Sequence, residues 1–490
     1  MSRSLSEAVR TADPSAPPRS TPRPAATLAV TSAATALALM TYTAPMVTLP
    51  DTAASLGTGL SGQAWLLNGT PLGLAALLLI AGGLADDYGR RRTFLYGTVA
   101  LGITTMLAAL ASNTWQFTLA RVAQGAASAA ILASSLGLLV RAFPAGPGRI
   151  RATGVWGAFV SGGIALGPVA AGGIAAAANW RLAYGVLGLL TLAIAPLVPR
   201  AVTESRSPRA GRPDAAGAAT LALSLVALIA ALTLGRDGWL RAPVALLLIA
   251  SAALAWTFTI VERRTSTPLL DLDLLRKPPF LASAAGALFT GLSVIALFSY
   301  LPTLLQHTVG LSAMDTAWLF MVWSGVSFVI ALQARRLAGH VSPRHQLAIG
   351  FTLHTAATLT MLGAASTSGP GSWARLLPGL LISGTGSGLL NAALPQLAVE
   401  SVPAERAAMG SGANNTARYI GSAAGVALMI AVSTSTDSLA RGADVALWVS
   451  AGLGVLAAVV VLSLRTRTRT RQAPSLRTRQ VPRRRARRPR

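Results

Sequence analysis

The chain contains no cysteine, so disulfides and thiolate metal sites are both excluded. Lysine occurs once, as Lys277, among 41 basic residues. Charged residues of any kind make up only 12% of the sequence, about half of what a soluble domain carries. Acids number 16, and none of them falls in the middle of a long apolar run. No G-x-x-x-x-G-K-[ST] loop is present, which argues against ATP-driven work. Neither a metal-ligand cluster nor a catalytic triad pattern is found, so an enzyme is not expected.

What remains is apolar and basic. Hydrophobic residues reach 52% of 490, with 47 glycines and 28 prolines. A membrane span needs about 20 mostly apolar residues. Fourteen such runs follow one another, from 26–50 through 93–111 to 443–464. The first is longer than the apolar core of a signal peptide and reads as an uncleaved span. Arginines set the orientation. With the N-terminus inside, the tails and even-numbered loops hold 34 of the 41 basic residues. Arg181, Arg236, Arg241, Arg375 and Arg441 fall on the other side, and Arg121 and Arg418 lie inside spans. An even span number with both termini cytoplasmic follows.

The net charge is +25, and twelve arginines lie in the tail from Arg465 to Arg490. No aromatic residue interleaves those arginines, so a base-stacking surface is missing and nucleic acid is not the expected partner. A solvated tail near anionic lipid headgroups fits better. The organisation expected is a disordered N-terminal tail (1–25), a six-span half (26–199), a linker with two extra spans (200–262), a second six-span half (263–464) and the basic tail (465–490).

Three local patterns carry more. The loop after the second span reads "GGLADDYGRRR", Gly82 to Arg92. Asp86 and Gly89 occupy the first and fourth positions of a candidate tight turn. In the fifth span, Gly163, Gly167 and Ala171 recur every four residues beside Pro168, a small-residue stripe suited to close helix packing. The fourth span, "FTLARVAQGAASAA", carries Arg121 in an otherwise small and apolar run. A charge there costs roughly 2.5–3.5 kcal/mol on insertion scales.

These patterns resemble the signatures of the major facilitator superfamily. Gly82, Leu84, Asp86, Gly89, Arg90 and Arg91 match its motif A, with Asp87 where the family has a basic residue. Arg121, Gln124 and Gly125 match motif B. Gly154, Gly163, Gly167, Pro168 and Gly172 match motif C, with Ala171 in place of one glycine. The thirteenth span, "SGANNTARYIGSAAGVAL", is similar to that of fourteen-span drug:proton antiporters. A weak echo of motif A, "LAGHVSPRH", keeps Leu337, Ala338 and Arg344 and fits two related halves.

The resemblance implies an all-α integral membrane protein with the major facilitator fold, fourteen transmembrane helices (6 + 2 + 6) and two pseudo-symmetric halves. It implies a monomeric secondary exporter of drug-like or antibiotic molecules in the cell membrane, driven by protons and needing no cofactor. A metabolite exporter, a proton symporter and a transport-deficient membrane sensor are the alternatives. Motif A would act as a latch, Asp86 meeting a helix N-terminus of the other half. Motif C is associated with export. Related antiporters carry an acid in the first span, but Thr41 stands at that position here. Asp51, at the outer end of the span, is therefore paired with Arg121 as the expected coupling group, with Arg121 facing the cavity. Substrate-cavity candidates are Tyr42, Thr43, Trp65, Asn68, Tyr300, Trp323, His354, Asn391, Gln396, Asn414, Asn415 and Arg418.

Overall fold

A computed structural model describes residues 24–144, 146–206, 214–235, 238, 240–265, 272–334, 341–366, 372–403 and 407–464. The expected basic tail, most of the N-terminal tail, linker residues 207–213, and Leu337 and Ala338 of the motif A echo lie outside them. The first half contains α1 (Pro24–Thr43), α2 (Pro45–Ser55), α3 (Leu60–Tyr88), α4 (Arg90–Ala109), α5 (Thr114–Ala142), α6 (Pro147–Ala177), α7 (Trp180–Ile194) and short α8 (Val198–Ala201). Two helices follow, α9 (Ala215–Gly235) and α10 (Ala242–Arg264). Then come α11 (Pro278–Phe289), a π-helical segment (Thr290–Ile295), α12 (Ala296–Thr308), α13 (Ala313–Ala334), α14 (Pro343–Thr360), α15 (Leu377–Glu400), α16 (Ala407–Thr434) and α17 (Leu439–Ser463).

Helix is what an apolar chain adopts in lipid, because it satisfies every backbone group within the segment. Helix starts are written locally: Asn113 accepts from the Gln116 amide, and Asn179 from that of Leu182. Among the described residues, thirteen helices are long and apolar enough to cross a membrane, against fourteen expected. The expected span 93–111 corresponds to α4, which is not among them. It opens on Arg90, Arg91 and Arg92 and carries four threonines, yet it packs against α5 and α7 like its neighbours.

The packing repeats itself. In the first half α1 packs on α6, α3 on α5, α4 on α5 and α4 on α7. In the second, the π segment with α11 and α12 packs on α16, α13 on α15, α14 on α15 and α14 on α17. Each pair has its counterpart one half later. The halves join reciprocally, α3 against α16 and α6 against α13. This is an approximate two-fold arrangement of two related repeats. Helices α9 and α10 pair with each other, and α9 lies against α3 and α16.

The first span of each half is interrupted. Between α1 and α2 the helix breaks at Ala44, before Pro45, which has no N–H to give the Thr41 carbonyl. The matching span widens into the π segment. Such irregularities inside a helix gather at functional sites.

Candidate functional site

A cavity of about 290 Å³ lies between α5 and α6 on one side and α13, α14 and α15 on the other, near the low end of small-molecule pockets, about 300–1,000 Å³. At its mouth stand Arg149 near the start of α6, and Gln396 and Glu400 at the end of α15. Two smaller cavities continue inward, of about 40 and 20 Å³, and Asn391 lines all three. The far end is closed. There α2 packs against α12 and α13. Aromatic rings fill the path: Phe298 stacks on Trp323 at 4.2 Å, and Phe320 lies 5.0 Å from Trp323. Tyr42 meets Tyr419 edge-on at 5.8 Å, and its hydroxyl shares a 3.3 Å hydrogen bond with Ser422 of the other half. The inner end is therefore aromatic, whereas the large cavity is lined by small and aliphatic residues together with Arg149, Thr153, Gln346, Asn391, Gln396 and Glu400.

Arg121 is fully buried and lines none of these cavities, contrary to the cavity-facing position expected. Its guanidinium donates to the carbonyls of Thr41 at 2.7 Å and Tyr42 at 3.1 Å, and to Gln124 Oε1 at 2.9 Å. The first of these acceptors is the one Pro45 leaves without a helical partner. The negative end of α1 thus receives the charge. Asp51 is exposed on α2, and the expected Asp51–Arg121 pair is not formed. What anchors Arg121 is the backbone of Thr41, at the position where an acid was sought.

Gly125 allows that anchorage. A Cβ there would lie 2.9 Å from the Gly73 Cα and collide with the Thr70 carbonyl. Helices α3 and α5 therefore cross backbone to backbone. Along α6, a Cβ on Gly163 would stand 2.9 Å from the Ala36 Cα, and one on Gly167 2.7 Å from the Met40 carbonyl. Gly172 faces Val47 at 3.5 Å, and Ala171 is fully buried. Partner numbers rise together, so α1 and α6 run in the same direction, as first and fifth spans of an alternating chain must. Pro168 sits within the stripe without ending α6. Gly154 differs: nothing lies within 4 Å of its Cβ position, and it lines the large cavity.

The loop between α3 and α4 is tighter than the four-residue turn expected. Helix α3 runs through Tyr88, and the chain reverses at Gly89 alone, with φ +121°. Asp86 is buried and forms an ion pair with Arg90 at 2.7 Å, while Arg90 also donates to the Gly137 carbonyl. Gly82 is buried and Leu84 half-exposed. A carboxylate does sit at a helix N-terminus, but it is Glu204: it accepts from the Arg91 amide at 3.0 Å and lies 3.9 Å from the Arg91 and Arg92 guanidinium groups. Asp87 Oδ1 is buried without a hydrogen bond.

Several cavity candidates prove to face elsewhere. Asn68 donates to Thr233 of α9 at 3.1 Å. Trp65 pairs with Trp115 at 6.2 Å. Tyr300 packs against the cluster of Leu304, Ala365 and Ala443. His354 is fully buried behind the aromatic stack, its ring nitrogens 3.0 Å from Ser383 Oγ and 2.9 Å from Ser450 Oγ. The polarity of that chain can be read. Ser450 spends its proton on the Ser293 carbonyl, so it accepts from His354 Nε2–H. Ser383 accepts from Trp323 Nε1–H, so its own proton goes to His354 Nδ1. His354 therefore ties α14 to α15, α17 and the π segment. Replacing it by leucine leaves the Ser383 proton without its acceptor and removes the donor to Ser450, at a cost of about 1–3 kcal/mol. A thermal-shift measurement on purified protein should show a lower midpoint; an unchanged one would remove this structural role.

Tyr42, Trp323, Asn391, Asn414, Asn415 and Arg418 do line the cavities. Asn414 donates to Ser283 at 2.8 Å, and Asn415 to the Ser411 carbonyl. Sequence reading missed Trp156, which lines an inner cavity and donates to Thr35 at 3.0 Å. Its signal was available: it is the one tryptophan in the small-residue run of α6. Tyr419, next to Arg418, was missed as well.

The sequence profile described as "Major Facilitator Superfamily" matches residues 31–426. The multidrug resistance protein Stp of Mycobacterium tuberculosis (strain CDC 1551 / Oshkosh) is 30% identical over 411 residues, 83% of this chain and 73% of that protein. The puromycin resistance protein pur8 of Streptomyces alboniger is 30% identical over 414 residues, 82% of this chain and 80% of that protein. Among solved structures, the crystal structure of the human organic anion transporter MFSD10 (TETRAN) superposes with a TM-score of 0.63, covering 90% of this chain and 100% of that one. At 17% identity, that likeness speaks for the fold alone.

Proposed function

Because the chain belongs to the Major Facilitator Superfamily, a family of multi-pass membrane transporters and not of enzymes, we propose that it exports drug-like or antibiotic molecules by alternating access. Proton influx drives the cycle, and both termini face the cytoplasm. The observation that carries the reading is the cavity between the halves. Its mouth lies at the ends of α5, α6 and α15, beside Arg141, Arg149 and Arg151, and an arginine-rich face is the cytoplasmic one. Molecules entering there come from inside the cell, with the outer end shut by α2 and the aromatic stack. Relatives named for drug resistance support the same direction.

The halves proposed to rock are 26–199 and 263–464, with α9 and α10 as a flanking pair. Motif A is proposed as a latch between the halves that is released in this inward-open state, where its contacts stay local: the Asp86–Arg90 pair and Glu204 hold the α3–α4 corner.

The test is expression in a host depleted of its own pumps. Tolerance to some members of an antibiotic panel should rise, and inside-out vesicles should accumulate those drugs under an imposed pH gradient. No change in tolerance together with no gradient-dependent flux would reject export. Asp51→Asn should export with an unaltered pH profile, because Arg121 already has Thr41, Tyr42 and Gln124 as acceptors. A flattened profile would restore Asp51 to the coupling step.

A further inference from the structure

Among the described residues, arginines that are buried or half-buried have acceptors, with one exception, the half-buried Arg418. Arg121 is held by two carbonyls and Gln124, and Arg90 by Asp86 and the Gly137 carbonyl. Arg149 donates to the carbonyls of Phe143 and Val140, and Arg344 to those of Val461 and Leu462. Arg418, within α16, lines both inner cavities and has no hydrogen bond or ion pair among the described residues. Its Nε is buried and unpartnered. One side of the guanidinium is occupied by the Tyr419 ring, 5.3 Å away, a contact that offers no lone pair.

A cation inside a membrane span with no ion-pair partner is costly, which makes Arg418 a candidate for binding a ligand of opposite charge. Carboxylates among the described residues lie elsewhere: Glu400, at the mouth of the large cavity, accepts from Gln396. A guanidinium presents a planar fork of donors that matches a carboxylate or similar oxyanion. In one of the two cavities the walls about it are largely apolar and aromatic, with Leu39, Val294, Phe298 and Trp323; in the other stand Ser411, Asn414 and Asn415. Asn391, between Arg418 and the mouth, is weakly engaged, its amide 3.4 Å from both Ser161 and Ser327.

We propose that Arg418 is the anion-binding end of the transport cavity, and that the exported molecules are amphipathic organic acids. The acid group docks on Arg418, Asn391 supplies one hydrogen bond, and the apolar body fills the space toward the mouth. This rests on the export reading above and adds the charge of the cargo to it.

The probes are three anthracenes differing in one group: 9-anthracenecarboxylate, 9-anthracenemethanol and 9-(aminomethyl)anthracene. Affinity is measured by fluorescence on the full chain in phosphatidylcholine nanodiscs. The carboxylate should bind about tenfold or more tighter than the alcohol, the contribution of one charge-assisted hydrogen bond, and the amine most weakly. Arg418→Gln should bring the carboxylate down to the alcohol's affinity, and Arg418→Lys should retain part of the preference. Equal binding of the three probes by the wild type overturns the proposal even if the variants do not fold. So does a preference that survives Arg418→Gln. Phosphatidylglycerol in the disc distinguishes the source of the anion: loss of carboxylate binding there assigns the site to a lipid phosphate and overturns the cargo assignment. Gradient-driven export of drugs without charge preference sinks the subsite and spares the export reading. Charge-selective binding without flux supports the subsite and sinks export.

Discussion

Replacing Arg121 by alanine is expected to abolish export, and Arg121→Lys to recover only a small part of it. The reason lies in geometry rather than in charge alone. Three acceptors converge on one guanidinium: the Thr41 and Tyr42 carbonyls and Gln124 Oε1, at 2.7, 3.1 and 2.9 Å. Pro45 has removed the donor that Thr41 would otherwise receive. Without the guanidinium, the end of α1 is buried with unsatisfied carbonyls. Hydrogen bonds to a charged group contribute about 1.5–3 kcal/mol each. Losing two of them shifts an equilibrium by about two to four orders of magnitude. An ammonium is a point charge that does not reproduce the planar fork. Drug flux into inside-out vesicles, normalised to the protein present, measures the effect. Wild-type flux through Arg121→Lys would show that a positive charge suffices.

The sequence exposed Arg121 as an anomaly but hid its partner. Side-chain chemistry is spelled in letters; a backbone carbonyl is not, so Thr41 carries no sign in the sequence of the acceptor it supplies. Pro45 was the available clue, since it leaves one carbonyl of α1 unbonded. The glycine stripe of α6 was legible because spacing along a helix fixes a face. Which neighbour meets that face is a tertiary fact. The same limit explains Asn68. An amide inside a span points somewhere polar, and its partner Thr233 belongs to α9, a helix outside the repeated halves. His354 is a cavity candidate by sequence, and three buried serines account for it instead. The π segment left no mark, for its residues suit an ordinary helix equally well. Arg418 was legible for the opposite reason to Arg121: no hydrogen bond among the described residues satisfies it, so its charge remains the main fact about it.

Gly163→Ala and Gly167→Ala should each lower flux and thermal stability together, whereas Gly154→Ala should leave stability intact. The three belong to one motif by spacing, yet they meet different surroundings. A methyl on Gly163 runs into the Ala36 backbone, and one on Gly167 into Met40 and the Thr43 hydroxyl. Backbone cannot move aside as a side-chain tip can, so overpacking costs about 1–3 kcal/mol or more. At Gly154 the added methyl enters open cavity, and its effect belongs to which molecules fit. Equal stability loss at all three positions would contradict this division. The two motifs then share a target. The stripe on α6 presses the stretch of α1 from Ala36 to Thr43, and Arg121 on α5 grips the carbonyls of Thr41 and Tyr42 in the same stretch. Tyr42 in turn carries the hydrogen bond to Ser422 in the other half. Any movement of α1 that opens the outer end must therefore loosen the Arg121 grip, the glycine contact and the Tyr42–Ser422 bond together. Substitutions at Arg121 and at Gly163 or Gly167 act on that one segment, and their effects on flux should combine non-additively in a double-mutant cycle.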